Sequence, residues 1–146
     1  MEKLETTKEP TKAAFYFEDF RFTEAHIIFS RLDEKERQLK FDTSGTYDQK
    51  KGVYDLAFTL TVYDKEVANY ILKTTLVATF KFNSILKLEE LPTYFYRNCI
   101  AIVYPYVRAF ASNISLQANT GAMILLPTMN LSSLEKDLRD HTKVIS

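Results

Sequence analysis

Leu56, Phe58, Leu60 and Val62 alternate with Ala57, Thr59, Thr61 and Tyr63, a period of two that predicts a strand with one buried and one open face. Tyr70, Leu72, Leu76, Ala78, Phe80 and Phe82 alternate in the same way with Lys73, Thr75, Thr79 and Lys81. The short polar stretch Asp64-Lys65-Glu66 between the two runs makes an antiparallel hairpin the economical connection. Upstream, Leu39, Phe41 and Thr43 read as a shorter strand, followed by a polar turn from Ser44-Gly45 to Gly52. The first strand is irregular: Phe15 and Phe17 share one parity, Phe20 and Phe22 the other, which places a bulge near Glu18-Asp19. From His26 to Gln38, Ile27, Ile28, Phe29 and Leu32 are mixed with six charged residues, a partly apolar crossover between strands one and two.

The period then becomes helical. Val103, Val107, Phe110 and Ile114 fall at i, i+4, i+7 and i+11, with Arg108, Ser112 and Ser115 on another side. Pro105 is expected to start or kink this helix, and Glu89-Glu90 suit the first turn of a short helix before it, where carboxylates face the positive end of the dipole. After Asn119-Thr120-Gly121 an apolar segment, Ala122 to Leu126, stops at Pro127, and a final helix spans Ser132 to Leu138. Strands first and helices last predict an α+β domain, a four-stranded antiparallel sheet with helices packed on one face. Its expected limits are residues 14–138, between a flexible, charge-rich N-terminal tail (1–13) and a C-terminal tail (139–146).

Composition removes several function classes. Nineteen Lys and Arg balance 19 Asp and Glu, which argues against nucleic acid as a partner, because phosphate recognition shows as a basic excess. The three glycines are scattered at 45, 52 and 121, so no phosphate-binding glycine loop exists. Cys99 is the single cysteine, leaving no intrachain disulfide and fitting a reducing compartment. The longest apolar run, Ile100 to Val107, falls far short of the roughly 20 residues that span a bilayer. A soluble, cytoplasmic protein without membrane insertion is expected.

Candidate chemistry is sparse. His26 and His141 stand at no metal-ligand spacing with Cys99 or the carboxylates, so no metal or other cofactor is expected. Cys99 has no identifiable base and reads as a buried structural thiol. No catalytic set emerges, and a non-enzymatic protein is expected. The aromatics are different: at 14% of the chain they exceed what a sheet covered on one side needs for its core, and the surplus points to an accessible groove or interface.

On the long helix, Tyr104-Pro105-Tyr106 with Arg108 follows Cys99, and Leu126-Pro127 with Asn130-Leu131 comes about 20 residues later. These two linked motifs resemble the preprotein-binding chaperone family SecB. The resemblance covers residues 14–134, including a crossover that begins His26-Ile27-Ile28-Phe29. It implies an ATP-independent holdase, assembled as a dimer of dimers, that binds unfolded client polypeptides, preproteins bound for export, in long apolar grooves.

Matched by position, the implied groove residues are Ile27, Phe29, Leu32, Leu39, Phe41, Leu131 and Leu134, while Cys99, Tyr104, Pro105, Tyr106, Arg108, Pro127 and Asn130 carry the motifs. The family's exposed sheet face docks the translocase motor SecA, and Asp19 and Glu24 are the acidic candidates for it here. The chain departs from the family in its neutral charge, in Lys73 where an acid is expected, in Ile100 in place of a proline, and in a glycine turn reduced to Gly121. A SecB-like chaperone dedicated to one partner, such as an antitoxin, is the alternative reading.

Overall fold

The computed structural model describes residues 14–28, 37–64, 70–119, 123–130 and 132–145. Four long strands, β1 (Phe15–Ile27), β2 (Arg37–Asp48), β3 (Val53–Asp64) and β4 (Tyr70–Phe82), precede helices α1 (Phe95–Ala118) and α2 (Ser132–Asp140). A fifth strand, β5 (Thr142–Ile145), closes the order β1-β4-β3-β2-β5. The expected fold class holds, with two corrections: the sheet has five strands, and β5 pairs with β2 in parallel. The fifth strand lies in the stretch read as a tail, because four residues are too few for alternation to register.

Residues 54, 56, 58, 60 and 62 of β3 and Leu72, Leu76, Ala78, Phe80 and Phe82 of β4 turn inward, as their period requires. Phe15, Phe17, Phe20 and Phe22 all pack against that core. This is possible because the β1–β4 register shifts between Phe17 and Asp19, where the parity change placed a bulge. A second shift between Phe22 and Glu24, unmarked in the sequence, brings Ile27 onto the same face opposite Leu72.

β2 runs further than expected. Ser44-Gly45 continues the strand, and the turn narrows to the residues between Asp48 and Val53. Gly45 fits there because the Tyr54 ring crosses its Cα; any Cβ would collide with that ring. Gly52, at φ +65°, occupies the left-handed region that the turn demands, while Asp48 Oδ1 accepts from the amides of Lys50 (3.1 Å) and Lys51 (3.2 Å).

The helical half differs in two respects. α1 begins at Phe95, ten residues before Pro105, which sits inside it on the exposed side. Its buried stripe includes Cys99, Ile100, Val103, Tyr104, Val107, Ala111 and Ser115, wider than the expected line through Phe110 and Ile114. Phe110 is half-buried and stacks on Phe22 at 4.2 Å. The short helix before α1 is a single 3-10 turn, Leu88–Glu90, and the carboxylate of Glu90 at its third position reaches back to accept from the Lys87 amide at 2.7 Å, one half of a capping box.

Candidate functional site

The candidate groove lies along the outer edge of β2, on the helix-bearing face. Leu39 is registered with Val62, Val62 with Leu72, and Leu72 with Ile27, so Leu39 and Ile27 are the two ends of one row that crosses the sheet. The middle of the row is sealed; its ends are half-buried. Phe41, one step along, is also half-buried and rests edge-on against Phe58 (5.7 Å between centroids) and Tyr104 (6.1 Å).

The motif residues build the wall behind Phe41. The Tyr104 hydroxyl donates to the Pro127 carbonyl, and burial pushes its pKa up while nearby Arg108 pulls it down. Ser115 Oγ accepts from the Ile124 amide at 2.7 Å, and Ser112 Oγ donates to the Ile124 carbonyl at 2.8 Å. The segment 123–130 is thereby held on α1, with Ile124 and Leu126 buried and Met123 and Leu125 outside. Asn130 Oδ1 accepts from the Ser132 amide at 2.9 Å and so caps α2. Cys99 is fully buried, donates weakly to the Tyr96 carbonyl, and has its pKa raised by burial, which leaves it unreactive at neutral pH. Tyr106 faces the other side of α1, 4.3 Å from the Phe20 ring and 41% exposed.

The structure therefore brings Leu39 and Phe41 together on one strand and sets Ile27 at the far end of their row. Leu134 is only 6% exposed, part of the core under α2. Phe29, Leu32 and Leu131 lie outside the described residues.

Asp19 and Glu24 stand on the opposite, open face of β1, registered with Thr79 and Thr75. Glu24 accepts from Thr75 Oγ1 at 3.2 Å and lies 3.8 Å from His26 Nε2. Arg21, Lys73 and Lys81 share that face, Lys81 paired with Glu18 at 3.4 Å, so the two carboxylates are interspersed with cations. Among the described residues no group of three or more His, Cys, Asp and Glu side chains is placed to hold a metal ion.

Sequence reasoning missed the joint between α2 and the sheet. Asp137 Oδ2 accepts from both the amide (3.1 Å) and the hydroxyl (2.8 Å) of Thr43, and Asp137 Oδ1 is 3.2 Å from His141 Nδ1. The Asp137/His141 spacing of four residues was the available signal, and it resembles any exposed helical ion pair.

A four-stranded antiparallel core flanked by one long and one short helix, with a half-open aromatic edge, is a SecB-like fold. In solved structures the chain is similar to the SecB-like chaperone Rv1957 of Mycobacterium tuberculosis in complex with a ChAD peptide from the HigA1 antitoxin, with TM-score 0.66 and 14% identity over 80% of this chain and 88% of that one. A protein of unknown function from Streptococcus agalactiae also matches, with TM-score 0.46 and 11% identity over 78% and 97% of the two chains. No protein-family model and no curated protein sequence matches the chain.

Proposed function

We propose that the protein is an ATP-independent, non-enzymatic chaperone that holds unfolded polypeptide segments in the apolar trough beside β2. The observation that carries this reading is the half-open state of Leu39 and Phe41 in a SecB-like fold: two large apolar side chains sit on an outer strand edge, packed against the core on one side and only half-buried. Clients that share apolar and aromatic content need such a surface without a fixed hydrogen-bond code. Phe29, Leu32 and Leu131 are proposed to extend the trough, with Leu134 supporting its floor, while Ile27, on β1 beyond the sealed Val62 and Leu72, is proposed to offer a separate apolar contact at the other side of the sheet. The protein is proposed to act in the cytoplasm as a dimer of dimers.

Self-association is supported by α1. Its Tyr106 and Leu116 side chains are 41% and 62% exposed, on a helix that by length and composition alone could also cross a membrane. In a soluble protein such exposed apolar side chains favour a partner surface.

A second reading, a chaperone dedicated to one antitoxin-like partner, is favoured by the mixed charge around Asp19 and Glu24, which offers the SecA motor no continuous acidic face. Suppression of aggregation by the purified protein separates the two. Several unrelated unfolding proteins protected at near-stoichiometric ratios is the result expected of a general holdase. Protection of none of them contradicts that role and leaves a dedicated partner to be sought.

A further inference from the structure

Among the described residues, the outer edge of β2 is paired over only half its length. β5 pairs with Gly45–Asp48, and the amides of Gly45 and Gln49 donate to the carbonyls of His141 (3.1 Å) and Ile145 (3.4 Å). The next outward amide, that of Thr43, donates to Asp137 Oδ2 at 3.1 Å. Alternate residues of a strand present their N–H and C=O to the same neighbour, so the amides of Leu39 and Phe41 face the same edge. Among the described residues no strand pairs with them there.

The joint that ends this free stretch is pinned on several sides. Thr142 Oγ1 donates to the Leu138 carbonyl at 2.7 Å and shares a 2.6 Å hydrogen bond with the Tyr54 hydroxyl. Tyr54 itself is wholly buried in the core.

We propose that β5 and Asp137 form a built-in stop, occupying the β2 edge from Thr43 to Asp48 and confining an extended client segment to the stretch around Leu39 and Phe41. This rests on the client-binding reading above. β5 itself demonstrates that an extended segment of this chain fits the edge. A client strand advancing along β2 meets first a carboxylate that already holds the Thr43 amide and that repels a client carbonyl, then a strand in place. Main-chain pairing is thus restricted to a few residues, and the apolar side chains must supply most of the affinity. Clients are selected for a short apolar cluster and not for a long β-forming stretch.

The double variant Asp137→Ala/Lys143→Pro, which removes both parts of the stop, tests this in the full-length chain. The carbonyls of His141 and Ile145 both face β2, so the intervening Lys143 amide does too, and proline there removes a ladder donor. Hydrogen exchange is read with and without reduced, carboxymethylated α-lactalbumin as the unfolded probe. In the unaltered protein the probe is expected to slow exchange at Leu39 and Phe41 only. In the double variant the footprint should extend through Thr43 to Gly45 and Tyr47, with binding about tenfold tighter from the added backbone hydrogen bonds.

An unchanged footprint and affinity, with the Gly45 and Tyr47 amides now exchanging fast in the free variant, would overturn the stop while leaving client binding intact. No binding to either protein would overturn the client reading and the stop with it. Should the double variant fail to fold, Asp137→Ala alone frees the Thr43 amide and is expected to add that one amide to the footprint; absence of that gain counts against the proposal equally.

Discussion

Phe41 and Phe58 are neighbours on one face of the sheet, yet one is half-buried and the other has no exposed surface. Truncating a sealed phenylalanine leaves a cavity, so Phe58→Ala is expected to cost about 3 to 5 kcal/mol. Phe41→Ala opens onto solvent and is expected to cost about 1 to 2 kcal/mol; chemical denaturation of the two variants checks the ordering. Gly45 carries a constraint of another kind. Because Tyr54 crosses its Cα, Gly45→Ala forces a buried ring out of place and is expected to cost about 1 to 3 kcal/mol, whereas Ser44→Ala, on the open face, should be nearly neutral.

The strands show which sequence signals survive folding. β3 and β4 were legible because each alternates over a dozen residues, and the Glu18 bulge because the phenylalanine parity flips across it. The second bulge and the pairing of β5 were not. A bulge at Thr23 changes the phase of residues whose polarity does not alternate, and β5 owes its place to the Thr142–Tyr54 hydrogen bond and to the edge it covers. The candidate site divides the same way. Leu39 and Phe41 stood out as a spaced apolar pair, while Asp137 acts through a residue 94 positions away in sequence, a contact no local pattern encodes.

Packing between these elements also predicts the alkaline limit of stability. Burial raises the pKa of Tyr47, Tyr54, Tyr96 and Tyr104 above the usual value of 10.0, and that of Cys99 above 9.0. The unfolded chain therefore loses these protons before the folded one, and stability that is fully present below about pH 9 should decline as pH rises beyond it. Denaturant midpoints measured from pH 8 to 11 should fall steadily over the upper part of that range; a flat profile would contradict the burial of these groups.

As an assembly, the protein is expected to be larger than its 17.0 kDa chain. Native mass measurement at micromolar concentration should give a tetramer, through interfaces of roughly 2,000 Å² or more; a monomer alone would contradict the partnered role given to α1. Client binding is proposed at the β2 edge of the sheet, where among the described residues β5 pairs with Gly45–Asp48 and no strand pairs with Leu39 and Phe41. Titration of an unfolded client against Phe41→Ala, with a denaturant melt on the same preparation, bears most directly on this. The expected result is binding weakened about 30-fold, the cost of losing a recognition hot spot, with most of the folding stability retained. Unchanged affinity together with a large fall in the denaturation midpoint would show Phe41 to be an ordinary core residue and place the client elsewhere.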